Sequence, residues 1–450
     1  MGKINTIKTF QDSTVGLFKT NYLNNLSGSA NNYIVATQFQ PNFADLVFPI
    51  IEDLNHKFKI NLDIITDKKF KVLTNGDLTH EEEIESELKL FRFTFPKLIH
   101  SSILSFVIGD LKYISSQKMI NNTMDSIRVY TMIDETANAR LCLKYIEDYL
   151  PKLEDVFGSY PLNHLYFTGL PFLNDGASEN WGSINVIQNN LLLNENEATE
   201  SEKSQLKELV IHELVHQWVG NWMNFDNWDT LWFNESFASF VTRNIILDTK
   251  VDFEKFMEKD CFYNEDTKKF DVDSINKYKD GLSIGPNSAV ADIFHPDAYE
   301  KGMIILQMIN SIFEIEKGKN GFIKAFKNLV LDNSKDKSIS FDKIWSILND
   351  EVDFDLIDFV NSWCNANGYP IISVSKDSNG KVVVEQELYL EDSNAETITE
   401  VGKTFQVPLF IKTKEGVEYK LMTEKQLKLN LDYQYLVNLN ADHIPFHLKI

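Results

Sequence analysis

His212, Glu213 and His216 lie in the run Leu209-Val210-Ile211-His212-Glu213-Leu214-Val215-His216-Gln217-Trp218. On a helix, side chains four apart stand one above the other, so both imidazoles can reach a single metal ion. Glu213, one residue round, can reach a water beside that ion. The arrangement suits metal-assisted hydrolysis, with zinc as the ion. The lesser alternative is that two histidines on a buried helix are hydrogen-bonded core residues. Catalytic zinc takes three protein ligands and keeps a fourth position open, so a third ligand is expected elsewhere. Glu235 is the candidate, because Leu231-Trp232-Phe233-Asn234-Glu235-Ser236-Phe237-Ala238-Ser239 is an apolar helical stretch in which an unpaired buried carboxylate is costly. A helix-surface glutamate is the other reading, which the flanking Trp232, Phe233, Phe237 and Phe240 disfavour.

The helix that must present the two histidines is expected over 202–223. Thr199-x-x-Glu202 forms its capping box, and Leu206, Leu209, Val210, Leu214 and Trp218 form its apolar stripe. Further helices are expected over 231–247, 298–314, 320–331 and 340–349. Another carries Ala139, Leu143, Ile146, Tyr149 and Leu150 at helical spacing, and Pro151 should stop it. Upstream, residues 4–128 are short alternating or apolar segments broken by Asn, Gly, Asp and Pro, among them 33–37, 58–65 and 88–95, which reads as antiparallel sheet. Alternation returns from Tyr369 in 371–375, 382–390, 404–411 and 435–439, a small β-sandwich. No internal repeat is present. The expected architecture is multidomain α+β: an antiparallel β domain at 1–135, a mainly helical catalytic domain at 136–368 and a β-sandwich at 369–450.

A chain of 450 residues exceeds a single typical domain, and 43% hydrophobic residues exclude intrinsic disorder. Lys+Arg 44 against Asp+Glu 66 gives a net charge of −22, which repels phosphate backbones and anionic headgroups, so neither nucleic acid nor an anionic membrane is expected as a partner. The three cysteines, Cys142, Cys261 and Cys364, encode neither a disulfide framework nor a cysteine zinc site and favour a reducing compartment. No run reaches the roughly 18 apolar residues of a membrane span, and the first residues lack the apolar core of a signal peptide, so a cytoplasmic location is expected.

Four elements taken together resemble the zinc aminopeptidases of the aminopeptidase N and puromycin-sensitive type, the gluzincins. In that family His-Glu-x-x-His is followed, after eighteen intervening residues, by Glu in a Leu-Trp-x-Asn-Glu segment, and residues 217–234 are that spacing here. The family's Gly-x-Met-Glu-Asn signature resembles Gly176-Ala177-Ser178-Glu179-Asn180, and its Tyr-x-Lys-Gly resembles Tyr299-Glu300-Lys301-Gly302. The likeness extends to Thr14-Val15-Gly16-Leu17-Phe18-Lys19-Thr20-Asn21-Tyr22, to Ala36-Thr37-Gln38-Phe39-Gln40-Pro41, and to Phe405-Gln406-Val407-Pro408-Leu409 and Val437-Asn438-Leu439-Asn440, which are similar to closing strands of the family's β-sandwich.

The resemblance implies a thermolysin-like catalytic domain holding one zinc ion on His212, His216 and Glu235. It implies Glu213 as general base, Tyr299 as donor to the developing oxyanion, and Glu179 as partner of the substrate's free α-ammonium. Gln38 and Gln40 take the positions of a second contact to that amine. The implied substrates are peptides with a free N-terminus. Ser178 stands where the family usually has Met, which implies a roomier or wetter first pocket, and Ser236 replaces the usual Gly after the third ligand. Family members begin well before the Gly16 segment and end in a large helical domain over the site. The resemblance therefore implies a chain truncated at both ends, with sheet edges covered by self-association or a partner chain. Two classes follow: an active zinc aminopeptidase, or a truncated non-catalytic relative that binds peptides or a partner protein. A third, a gluzincin hydrolase of the leukotriene-A epoxide hydrolase type, is disfavoured by the β-sandwich after residue 370.

Overall fold

Two units form, Met1–Trp228 with Val330–Ser340, and Asp229–Leu329 with Phe341–Ile450. The computed structural model describes residues 14–22, 32–121, 123–132, 135–228, 231–247, 263–264, 269–270, 296–333, 338–366, 369–389, 404–413, 416–432 and 448–449. No helix among them is long and apolar enough to cross a membrane.

The first unit contains strands β1 (Gly16–Tyr22), β2 (Asn32–Gln38), β3 (Asn61–Asp67), β4 (Lys71–Thr74), β5 (Asp77–Glu83) and β6 (Leu88–Thr94). They are followed by β7 (Phe106–Gly109), β8 (Leu111–Ser115), β9 (Ile127–Met132), β10 (Leu165–Leu170), β11 (Ala177–Ser178) and β12 (Ser183–Ile187). Its helices are α1 (Arg140–Phe157), the single turn α2 (Gln188–Leu191) and α3 (Glu200–His216). The expected antiparallel sheet is present as two pieces, ordered β1-β2-β7-β4 and β3-β6-β5. Alternation explains both: Phe18, Ile34, Ala36, Leu73 and Val107 turn into one cluster, and Val72, Phe91 and Phe93 into another.

A third sheet, β11-β12-β10-β9-β8, is mixed, with β9 and β12 each parallel to β10. It takes β8 and β9 from before residue 136 and the other three from after it, where the sequence reading expects a mainly helical domain and names no strand. Leu165, Phe167, Leu170, Ile184 and Val186 are fully buried in it, the near-continuous apolar character of covered parallel strands. Such runs lack the alternation by which a half-exposed strand is read.

Pro151 does not stop α1; the helix continues through it to Phe157. A proline inside a helix leaves the carbonyl four residues back without its donor. Here that carbonyl belongs to Glu147, and Lys118 Nζ donates to it at 2.5 Å. Gly158, at φ +96°, then ends the helix by donating to Glu154 O at 2.8 Å.

His100 is fully enclosed in this unit, with Ser102 Oγ 2.7 Å from Nδ1. Burial, with Lys57 adding to it and the Gly220 backbone opposing, pushes its pKa down to about 3. The unfolded chain binds a proton at this residue below about pH 6.5 while the folded one does not. Stability is therefore fully present above that pH and drains away as pH falls towards 3. The expected loss between pH 7 and pH 5 is about 2 kcal/mol. Urea midpoints at the two pH values should show a larger drop for the parent than for His100→Asn; equal drops would contradict it.

The second unit contains α4 (Leu231–Phe240), which runs on as π-helix through Val241–Ile246. The short strands β13 (Tyr263–Asn264) and β14 (Lys269–Phe270) pair with each other. Then follow α5 (Pro296–Lys317), α6 (Gly321–Asn333), of which the residues to Leu329 belong to this unit, α7 (Phe341–Asn349) and α8 (Leu356–Cys364). Aromatic rings form its core: Phe237 stacks on Phe326 at 4.1 Å and touches Phe322, while Phe233 meets Phe326, Phe341 and Trp345. The chain ends in β15 (Tyr369–Lys376), β16 (Lys381–Tyr389), β17 (Val407–Thr413), β18 (Gly416–Met422), β19 (Gln426–Asp432) and β20 (Leu448–Lys449). They form two sheets, β19-β16-β15-β20 and β17-β18. The strand expected at 435–439 and the likeness at 437–440 lie outside the described residues. Trp363 Nε1 donates to Gln406 O at 2.8 Å, tying α8 to the segment leading into β17.

Candidate active site

Helix α3 starts at the expected capping box: Glu202 N donates to Thr199 Oγ1 at 3.2 Å, and Thr199 N donates back to Glu202 Oε2 at 2.7 Å. Leu206, Val210, Ile211, Leu214 and Val215 are buried and fix its rotation. The helix ends at His216, seven residues short of the expected 223. Asn221 N returns to donate to His216 O at 3.2 Å, and Gly220, at φ +108°, makes the turn that allows it. The loop also presents Val219 O to His216 Nδ1 at 3.3 Å. A carbonyl only accepts, so the proton sits on Nδ1 and Nε2 of His216 is left as the lone-pair nitrogen.

Nε2 of His216 faces Nε2 of His212 at 3.0 Å, with the rings edge to face. A tetrahedral zinc with its usual bond lengths holds its ligand atoms roughly 3.3 Å apart. Glu213, between them in sequence, is buried at 6% exposure. Glu235 lies on α4, partly buried, among the buried Leu231, Trp232, Phe233, Asn234, Ser236 and Phe237. Among the described residues, His212, His216 and Glu235 form a group able to hold a metal ion, with one ligand atom from each and all within 4.8 Å of one another. A hydrogen bond between two imidazoles accounts for the first pair alone. A cation accounts for two nitrogen lone pairs and a carboxylate gathered together, and this donor set is one that zinc takes.

The second cluster sits on the edge strand β11. Gly176, at φ +80°, turns the chain into it, and Ala177 and Ser178 pair with Val186 and Asn185 of β12. Ser178, Glu179 and Asn180 are all buried. The Glu179 carboxylate accepts from Gln40 Nε2 at 2.9 Å. Gln38 Nε2 goes instead to Asp175 Oδ2 at 3.3 Å, and burial raises the pKa of that carboxyl. The two glutamines read as one pair in the sequence thus address different carboxylates, and Asp175 is a residue that sequence reasoning missed. Nothing in the sequence separates it from an ordinary turn aspartate.

Two more missed residues hold this cluster to α3. Gln217 Nε2 donates to Glu179 O at 3.0 Å and to Glu213 O at 3.2 Å, while its Oε1 accepts from Gly182 N at 2.8 Å. Asn221 Nδ2 donates to the same Glu179 carbonyl at 2.7 Å. The available signal for Gln217 was its position four residues beyond Glu213, on the same helix face.

In the second unit, Tyr299 lies in the first turn of α5, with its side chain outside the described residues. Gly302, in the same turn-and-a-half, has a plain steric reason to be glycine. A Cβ there would stand 2.1 Å from Ser236 Oγ and 2.6 Å from Trp232 Cε3, so α5 packs directly on α4. Lys301 is buried and donates to Ala366 O at 2.9 Å.

The model of the peptidase family M1 domain matches residues 140–363, which hold all these metal and helix residues, and that of the peptidase M1 N-terminal domain matches 3–104. The chain belongs to peptidase family M1. Its M1 relatives include Protein TMA108 of Saccharomyces cerevisiae, 34% identical over 462 residues that cover 97% of this chain and 48% of that protein. Aminopeptidase 2, mitochondrial, of the same yeast is 27% identical, with 97% of this chain and 45% of that protein covered. Glutamyl aminopeptidase of Bos taurus is 26% identical, again over 97% of this chain and 45% of that protein. The chain thus spans about half the length of the curated relatives it matches.

Proposed function

We propose that this M1 chain is a zinc aminopeptidase that releases N-terminal residues from peptides. The observation that carries the reading is the His212–His216–Glu235 donor group beside Glu213, in a chain whose relatives include proteins named aminopeptidases. His212, His216 and Glu235 would hold the ion. Zinc, when bound, lowers the pKa of water and polarises the scissile carbonyl. Glu213 takes the proton from that water and delivers it to the leaving amine. Tyr299 donates a hydrogen bond to the oxygen on which charge develops.

Glu179 binds the substrate's α-ammonium, and its low exposure strengthens the pairing. Gln40 orients that carboxylate. Gln38 reaches the site through Asp175, and Gly176, Ala177, Ser178 and Asn180 shape the wall around the first residue. The thermolysin-like character of the catalytic domain, the division at residues 135 and 368, a cytoplasmic location, and self-association or a partner chain over exposed sheet edges belong to the same reading.

Zinc analysis of the purified chain is expected to give one ion per molecule. Glu179→Ala is expected to keep that ion and to raise KM for free-amine substrates at least tenfold, the scale of one charge-assisted contact. An unchanged KM would remove Glu179 from amine recognition.

A further inference from the structure

We propose that Gln217 is a positioning residue that sets the distance between amine recognition and hydrolysis, and so makes the first peptide bond the one that is cut. The proposal rests on the aminopeptidase reading and extends it. In an amino-terminal residue only Cα separates the α-nitrogen from the scissile carbonyl carbon, which puts the two atoms roughly 2.5 Å apart. The groups that hold the amine and those that attack the carbonyl must therefore keep a fixed spacing. A misplacement of about 1 Å costs on the order of a hundredfold in rate.

In the first unit the two groups stand on different elements, Glu179 just after β11 and Glu213 on α3. One amide joins them. Gln217 Nε2 spends its two hydrogens on the main-chain carbonyls of those two residues, at 3.0 and 3.2 Å. Its Oε1 takes the Gly182 amide at 2.8 Å, and the Tyr160 hydroxyl points to it from 3.4 Å. Gln217 is 0% exposed, so these bonds compete with no solvent. The loop is gripped at its functional residue, Glu179, and again three residues on at Gly182, and the grip originates one residue past His216. Asn221 reinforces it at the Glu179 carbonyl, 2.7 Å away. A glutamine needed only to satisfy the end of a helix would not bridge the backbones of these two glutamates.

The test uses the zinc-loaded full chain and two probes, L-leucine hydroxamate and 4-methylpentanohydroxamic acid, which differ only in the α-amine. Titration calorimetry gives the ratio of their dissociation constants. A ratio is insensitive to the fraction of folded protein, so mere loosening of the fold leaves it unmoved. The parent is expected to bind the amino form at least tenfold more tightly. If the parent has no such preference, amine recognition itself fails and the proposal falls with it.

Given the parent preference, Gln217→Met should collapse the ratio towards one at unchanged zinc content, because amine and metal can no longer be engaged together. Should Gln217→Met fail to fold, Gln217→Glu decides. It keeps the shape and the acceptor for Gly182 but loses both donations to the carbonyls, and the same collapse is expected. A folded variant that retains the parent's ratio overturns the role.

Discussion

Glu213→Gln should retain its zinc and lose about two to four orders of magnitude in kcat, the range that a positioned general base contributes. The substitution is isosteric, and an amide in place of the carboxylate still fills the buried position on α3 but cannot accept a proton. The proposed metal donors are untouched, because the group able to hold an ion is His212, His216 and Glu235, to which Glu213 does not belong. KM should change little, since the proposed amine recognition rests on Glu179. Loss of kcat with zinc and KM retained is the signature of an interaction made only in the transition state. Activity equal to the parent's would remove Glu213 from the reaction, and lost zinc would place it among the ligands instead.

Gly302→Ala should give the largest loss of stability. The added carbon would stand 2.1 Å from Ser236 Oγ, 2.6 Å from Trp232 Cε3 and 2.8 Å from Ser236 Cβ. Real carbon contacts do not reach such distances, so α4 and α5 must separate. Overpacking a filled site costs about 1–3 kcal/mol, and the Trp232 ring and the Ser236 Cβ, neither of which swings aside freely, place this one at the upper end or beyond. The helices that part carry Glu235 and Tyr299, so zinc retention should weaken alongside the urea midpoint. Ser236→Gly removes two of the three clashes, so the double variant should recover part of the lost midpoint. A Gly302→Ala chain as stable as the parent would refute this packing.

The metal helix was legible because its signals are local: a capping box, an apolar stripe and two histidines four apart all lie within one stretch of chain. The end of that helix was not, because it depends on Asn221 folding back to His216 around Gly220. Pro151 misled for a related reason. The carbonyl it frees is satisfied by Lys118, a residue distant in sequence, and no window of the sequence contains both. The apolar run at β10 has the same character as a buried helix segment, and only its neighbours β9 and β12 decide between them. At the site, Glu179 could be named through the family likeness alone, since a glutamate after a glycine turn is otherwise ordinary. Its hydrogen bond to Gln40 bridges 139 residues of chain. Gln217 gave no signal of this kind, because three of its four hydrogen bonds lead to Tyr160, Glu179 and Gly182, residues far from it in sequence. Cys142 and Cys364, read as outside any disulfide framework, are free and buried, and burial pushes both thiols up, away from reactive thiolate.

The most direct measurement is the turnover of a panel of aminoacyl fluorogenic amides by the zinc-loaded chain, each amide paired with its N-acetylated form. Metal-dependent release from free-amine substrates, and none from the acetylated ones, is the predicted result. Stoichiometric zinc with no turnover of any substrate would contradict the enzyme and leave a peptide-binding member of the family in its place.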